Sequence, residues 1–235
     1  MKIDKVWYKK TGLVNPLIAF YFFLALINII AEYHQDYFFI RYTKPLIILF
    51  LVIIYLVTAR NKNKFYFLSL LLTIISNLFL TYQSDSFAIL ASVFLFLSQL
   101  AIIIVIMQKI KFPGETLLAL GAFPFGIISI LVALLVYDKL GLAFYLFLLQ
   151  ALLIVLVGGL ALANFLTKYN KANAQLFYGV GVLSASQFLL VMANSFTNIK
   201  LLFPLTTMSL VIGHYLVYKF VVGQEKHRRK YKIVN

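Results

Sequence analysis

The polar side chains inside the apolar stretches of this sequence are mostly amides and hydroxyls, and they define the chemistry available to the chain. Six of them form three serine–amide pairs, Ser76-Asn77, Ser98-Gln99 and Ser186-Gln187. An amide can hold a water molecule or a phosphate oxygen by hydrogen bonds, but it does not exchange a proton near neutral pH. Lys44 and the pair His214-Tyr215 add one cation and two aromatic groups. The pattern favours a polar binding site over a site of proton transfer.

Groups that could transfer a proton are few. The chain has seven acidic residues, three histidines and no cysteine, which excludes a thiolate nucleophile, a disulfide and a sulfur metal site. So few ligating residues also argue against a metal site with several ligands, and we expect no metal and no cofactor. The sequence has no phosphate loop, dinucleotide-binding, zinc or nucleophile-elbow motif. The remaining acid–base candidates are Glu32, Asp36, Lys44, Asp85 and His214.

Each of these residues also has a purely structural interpretation. Amides within a membrane bundle often link two helices, and each such bond contributes about 0.6–2 kcal/mol. A lone histidine such as His214 is more often packed or hydrogen-bonded than catalytic. Lys44, at the predicted start of the second helix, is expected to extend its ammonium to the membrane surface as an anchor. From the residues alone, the structural interpretation and the binding-site interpretation both stay open.

The elements that must position these groups are membrane helices. Of the 235 residues, 63% are hydrophobic and 12% charged, whereas soluble domains are about one-quarter charged. The apolar runs have the length of about 20 residues that a bilayer requires, and they are continuous, whereas a membrane β-barrel needs alternation. We predict one all-α domain over 1–235, a polytopic bundle of eight transmembrane helices. Their predicted ranges are 14–32, 44–59, 65–83, 86–108, 115–137, 141–167, 175–196 and 200–222.

The basic residues predict the orientation of the bundle. With a cytoplasmic N-terminus, 17 of the 21 Lys and Arg residues fall on the cytoplasmic side and four on the other, as the positive-inside rule requires. Both termini, including a basic tail over 223–235, are therefore expected in the cytoplasm, and the chain in a bacterial inner (plasma) membrane. Because the basic residues lie in short segments between apolar runs, the net charge of +14 does not predict nucleic-acid binding.

Glycines and a proline predict local features of two helices. Gly158-Gly159 would let the sixth helix approach a neighbour closely. Gly121, Pro124 and Gly126 are expected to kink the fifth.

Five segments resemble a known family. They are Thr43-Lys44-Pro45-Leu46, Ser76-Asn77-Leu78-Phe79-Leu80, Phe96-Leu97-Ser98-Gln99, the stretch from Gly179 to Gln187, and His214-Tyr215. On these segments the chain, from its second helix to its eighth, is similar to the YhhN family of lysoplasmalogenase-like eight-helix membrane proteins. The resemblance implies an integral membrane protein of lipid metabolism whose partner is a membrane lipid or lysophospholipid. Members of the family hydrolyse the vinyl ether bond of lysoplasmalogen, releasing a fatty aldehyde.

The sequence departs from the family where the chemistry occurs. Asn77 and Gln187 stand where the family has aspartates, and Gln99 where it has histidine. Vinyl ether hydrolysis needs a proton donor and a base, and loss of one general acid typically lowers the rate about 10²–10⁴-fold. We therefore expect activity to be weakened or lost, with no assignable catalytic residue, and a lipid-facing polar cavity to persist. The resemblance assigns substrate binding to Lys44 (facing a phosphate), Ser76, Asn77, Gln99, Ser186, Gln187, His214 and Tyr215.

Two other functions stay open. The chain could be an ether hydrolase of the lysoplasmalogenase type that uses a new acid–base pair from the candidates above. It could instead be a small-molecule transporter or a membrane assembly factor, since the glycines and the proline of the fifth helix hint at a broken helix.

Overall fold

The computed structural model describes the backbone of residues 3–82, 84–110, 112–141 and 143–232, and the side chains of 12–82, 84, 86–110, 112–141 and 143–224. These residues form eight α-helices and no strand, which confirms the all-helical prediction. Seven of the helices are long and apolar enough to cross a membrane, and α3, with 17 residues, is shorter. The helices are α1 Ile3–His34, α2 Tyr37–Thr58, α3 Lys64–Leu80, α4 Asp85–Lys109, α5 Glu115–Leu140, α6 Ala143–Thr167, α7 Lys171–Ser195 and α8 Leu202–Lys232.

Helix α2 begins seven residues earlier than predicted, at Tyr37. The Asp36 carboxylate accepts hydrogen bonds from the backbone N–H groups of Phe38 (3.1 Å) and Phe39 (3.3 Å) and so caps the helix. Such a cap satisfies N–H groups that have no partner within the helix. Lys44 therefore lies two turns inside α2, and the prediction that it stands at the helix end is wrong.

The two terminal helices are longer than their apolar segments. Helix α1 begins at Ile3, well before the predicted start at residue 14. Helix α8 continues to Lys232, through most of the predicted basic tail. The side chains of residues 225–235 lie outside the described ones, and so does the backbone of 233–235.

Seven of the helices form a closed ring. In this ring α1 packs on α2, α2 on α3, α3 on α4, α4 on α6, α6 on α7, α7 on α8, and α8 returns to α1. Helix α5 lies outside the ring, against α6 and α7. The main core fills the ring with buried aliphatic and tyrosine side chains, among them Tyr21, Tyr55 and Tyr66. A smaller core lies between α5, α6 and α7. The ring places residues of α4 and α7 within reach of each other across its interior.

Glycines bring α5 and α6 close together, as the sequence predicts for Gly158-Gly159. A Cβ atom added to Gly158 would lie 2.5 Å from the Phe125 ring, and one added to Gly159 would lie 3.0 Å from the Ala122 Cβ. On the facing helix, a Cβ on Gly121 would lie 2.6 Å from the Gly159 carbonyl oxygen. Pro124 lies inside α5, which is continuous from Glu115 to Leu140.

The outer surface of the bundle is apolar. Leu134 is 73% exposed and Phe123 68% exposed, both on α5. A water-soluble monomer rarely exposes so continuous an apolar surface. Together with the seven long apolar helices, it is compatible with an integral, multi-pass membrane protein.

Candidate functional site in the helix bundle

Two of the three predicted site amides meet inside the ring. The Gln99 Nε2 group of α4 donates a hydrogen bond to Gln187 Oε1 of α7. Gln99 is buried and Gln187 is partly exposed. The side-chain oxygen of Gln99, Oε1, takes no part in this hydrogen bond; it is buried and has no partner among the described residues. We call Gln99 and Gln187 the amide pair.

The amide pair borders a small cavity between α4, α6 and α7. Its volume is about 40 Å³. A water molecule needs roughly 10–15 Å³ on this scale, whereas drug-sized ligands occupy pockets of roughly 300–1,000 Å³. The cavity can therefore take a small polar group beside the amides, but not a whole lipid. Its lining residues are Gln99, Ile102, Leu153, Ile154, Val157, Val180, Leu183, Ser184 and Gln187.

The serines next to the amides serve helix packing where their bonds are described. Ser98 donates to the Ser69 carbonyl oxygen (2.9 Å), and its Oγ lies 2.8 Å from Thr73 Oγ1, so it joins α4 to α3. Ser76 donates to the Ala91 carbonyl oxygen of α4 (2.8 Å). Ser186 is buried on α7. On α4, neighbouring residues thus point to different helices: Ser98 to α3 and Gln99 to α7.

Asn77 is buried at a different depth in the bundle. It is 2% exposed, and its Nδ2 group has no partner among the described residues. Ser98 of α4 contacts Ser69 of α3, and Asn77 lies eight residues further along α3 than Ser69. Ser98 also contacts Thr73, four residues before Asn77, so at 1.5 Å per residue Asn77 lies roughly 6–12 Å along α3 from the level of Ser98. Asn77 does not line the cavity beside Gln99 and Gln187.

His214 and Tyr215 point in different directions from α8. His214 is buried, and its Nδ1 atom has no partner among the described residues. Tyr215 is partly exposed and packs against two rings of α1, Tyr21 (centroids 6.3 Å apart) and Phe22 (5.2 Å). Neither residue lines the cavity at the amide pair.

Lys44 belongs to a second polar group, formed by α1, α2 and α8. Its Nζ atom lies 2.9 Å from Glu32 Oε1, and the two side chains are 9% and 2% exposed. Thr207 Oγ1 donates to the same carboxylate oxygen (2.9 Å). The expectation that Lys44 extends to the surface as an anchor is therefore wrong: with α2 starting at Tyr37, its ammonium lies among helices and needs an anionic partner.

Two further residues complete this group. Asn28 of α1 donates to Thr207 Oγ1 (3.3 Å), and its Oδ1 atom accepts from Thr43 Oγ1 (2.6 Å). The second carboxylate oxygen of the acid, Glu32 Oε2, is buried without a partner among the described residues. We call Asn28, Glu32, Thr43, Lys44 and Thr207 the Lys44 cluster. The sequence pattern missed it because it joins residues of three helices, α1, α2 and α8. Treating Asp36 as a helix cap would have placed Lys44 inside α2.

Other buried amides have structural partners. Gln150 Nε2 donates to the Ser92 carbonyl oxygen (2.8 Å) and ties α6 to α4. Asn164 bonds the Leu160 carbonyl oxygen within α6, and Asn173 donates to the Asn164 carbonyl oxygen (3.2 Å). The structural interpretation of amides in the bundle therefore holds for these three.

The candidate acid–base groups are dispersed. Glu32 and Lys44 are paired with each other, Asp36 caps α2, His214 lies on α8, and the side chain of Asp85 is outside the described ones. The residues that line the cavity at the amide pair include no acid, lysine or histidine.

Comparison with known proteins adds no family to these observations. No family model matches the chain, and neither a curated protein nor a solved structure matches it.

Proposed function

We propose that this chain is a YhhN-like integral membrane protein that binds a membrane amphiphile of the lysophospholipid class, and that it has weakened or lost the hydrolysis of vinyl ethers. We further propose eight membrane crossings, both termini in the cytoplasm, and a bacterial inner membrane. One observation carries the binding function: the amide pair joins α4 and α7 beside a cavity whose other walls are almost entirely aliphatic.

The amide pair suits the polar part of an amphiphile. Gln99 Oε1 is buried without a partner among the described residues, and such an acceptor is costly in an apolar interior. A hydroxyl group of a glycerol backbone could donate to it. The small volume implies that only this polar part enters the cavity, while the acyl chain stays among lipids. Partial exposure of Gln187 supports entry from the membrane side of α7.

The same geometry argues against efficient vinyl ether hydrolysis. The reaction needs a proton for the enol-ether carbon and a base for water. Amides provide neither, and the cavity lining contains no other group that could. Asn77, the other residue at a family acid position, does not line this cavity and so offers no second group there.

A binding assay tests the proposal. Purified protein is titrated with lysoplasmalogen in detergent while aldehyde release and the shift in melting temperature are both measured. We expect a stabilising shift and no aldehyde release above that of a protein-free control. A saturating shift is expected for the lipid but not for its free headgroup. The absence of any lipid-dependent shift would contradict the binding function, and rapid aldehyde release would contradict the loss of catalysis.

Matched variants locate the binding site. Gln187→Leu removes one member of the amide pair, and we expect lysoplasmalogen affinity to fall about 3- to 20-fold, the equivalent of about 0.6–1.7 kcal/mol for one such bond. Gln150→Leu removes a buried amide of the same kind that bonds Ser92 instead. It should leave the affinity unchanged. Equal losses in the two variants would show that the effect comes from the loss of helix packing, and the amide pair would not be the binding site.

A further inference from the structure

Helices α7 and α8 approach each other closely at two glycines. A Cβ atom added to Gly213 of α8 would lie 2.6 Å from the Leu183 Cγ, and 2.9 Å from the Cδ2 and the backbone N of the same leucine. A Cβ atom added to Gly179 of α7 would lie 3.0 Å from the Leu216 Cβ and from the Val217 backbone N. Because interiors are close-packed, neither glycine can carry a side chain unless a neighbour moves.

Leu183 connects the first of these contacts to the cavity at the amide pair. It lines the cavity, and it precedes Gln187 by four residues, so the two side chains are neighbours on one face of α7. Among the described residues that line the cavity, none belongs to α8. Leu183 therefore forms one wall of the cavity and also occupies the space that a side chain at Gly213 would need.

The size of the cavity is sensitive to the position of this wall. Protein interiors contain few voids larger than a water molecule, so the cavity offers Leu183 a space to move into when it is pressed from α8. The volume of about 40 Å³ holds only a few water-sized groups, since each needs roughly 10–15 Å³. An isobutyl group that is shifted into this volume would take up a large share of it.

We propose that Gly213 sets the size of the cavity by leaving room for Leu183 beside α8, and that this contact limits the bulk of the polar group that the cavity admits. Gly213 is a positioning residue, because it acts on the cavity through Leu183. The identity of the ligand rests on the proposed function, whereas the control of size rests on the packing of α7 against α8.

Access of small reagents to the cavity tests the inference without any lipid. Ser184 lines the cavity, and the chain has no cysteine, so Ser184→Cys places a single thiol there. Its rate of modification would be measured with methyl methanethiosulfonate and with the bulkier benzyl methanethiosulfonate. Gly213→Ala in this background should slow the methyl reagent about 5- to 100-fold, the equivalent of the usual cost of overpacking. Leu183→Ala should accelerate the benzyl reagent, because it removes the wall. An unchanged rate in either variant would overturn the inference.

Two further variants separate the control of size from a general loss of packing. Gly179→Ala also creates a close contact between α7 and α8, but with Leu216 and Val217, which do not line the cavity. It should leave the methyl rate unchanged. Gly213→Ala combined with Leu183→Ala removes the clashing side-chain atoms, which protects folding, and should restore the methyl rate. Equal slowing by the two glycine variants, or no restoration in the combined variant, would show that Leu183 does not transmit the effect.

Lysoplasmalogen titrations of the same glycine variants, without the added cysteine, connect cavity size to the proposed function. We expect Gly213→Ala to lower the affinity and Gly179→Ala to leave it unchanged. A slower methyl rate in Gly213→Ala with unchanged lipid affinity would support the control of size and contradict lipid binding in this cavity. A lower affinity with an unchanged methyl rate would contradict the control of size.

Discussion

At the scale of residues, the pairing of Glu32 with Lys44 is the main departure from the chemistry suggested by the sequence. In the sequence, Glu32 lies near the end of the first predicted helix and Lys44 at the start of the second. Each side chain alone would therefore be expected to reach the membrane surface. The structure instead buries both, 2.9 Å apart, with Thr207 on the same carboxylate oxygen. A buried pair of this kind adds little net stability, but removal of one partner leaves an uncompensated charge.

Stability measurements on the pair should reveal this asymmetry. We expect Glu32→Gln and Lys44→Gln each to lower the free energy of unfolding by about 3–5 kcal/mol, and the double variant to lose much less than the sum. Unfolding in mixed micelles, followed by circular dichroism, measures all three. Glu115→Gln changes an exposed acid at the start of α5 and should stay within about 0.5 kcal/mol of the parent. Additive losses in the double variant would mean that the two charges do not interact.

At the scale of elements, the sequence predicts where helices lie better than where they begin. Continuous apolar runs mark the spans because the bilayer demands a minimum length. The start of α2 depends on a single cap, Asp36, which hydropathy does not detect. The direction of a side chain is equally hidden in the sequence. Ser98 and Gln99 are neighbours on α4, yet Ser98 bonds α3 while Gln99 bonds α7. The amide pair therefore required the packing of the ring.

The close approach of α6 to a neighbouring helix was predictable from Gly158-Gly159, because small residues let apolar helices pack closely, but the sequence did not identify that neighbour as α5. Gly121→Ala should destabilise the protein by about 1–3 kcal/mol, the usual cost of overpacking, since the new Cβ would meet the backbone oxygen of Gly159 at 2.6 Å. Gly126→Ala, one turn further along α5, has nothing within 4 Å of its Cβ and should stabilise the helix by up to about 1 kcal/mol. Thermal unfolding of both variants in one detergent would compare them, and a neutral Gly121→Ala would contradict the close approach.

At the scale of the whole molecule, the ring of seven helices with α5 outside could not be derived from the sequence. Composition establishes a membrane bundle, and loop charges predict its orientation, but neither says which helices touch. The short helix α3 matters most here, because the number of crossings decides whether the two termini share a side.

Cysteine labelling in intact cells would count the crossings, since the chain has no cysteine of its own. Single cysteines replace three exposed residues: Lys62 before α3, Ser84 after it, and Asn198 between α7 and α8. With eight crossings and cytoplasmic termini, a membrane-impermeant maleimide should label Ser84→Cys and Asn198→Cys but not Lys62→Cys until the cells are lysed. Equal labelling at positions 62 and 84 in intact cells would show that α3 does not cross the membrane.

The central claim is that the cavity at the amide pair receives the polar part of a lysolipid, and photo-crosslinking tests it most directly. A lysophospholipid with a diazirine on its glycerol backbone, the part proposed to enter the cavity, would be irradiated with the purified protein, and the labelled peptides would be sequenced. Labelling should concentrate on cavity-lining residues such as Ile154, Val157 and Leu183, and Gln187→Leu should reduce it. Labelling confined to the lipid-facing side of α5, around Leu134, and unchanged in that variant would contradict the claim.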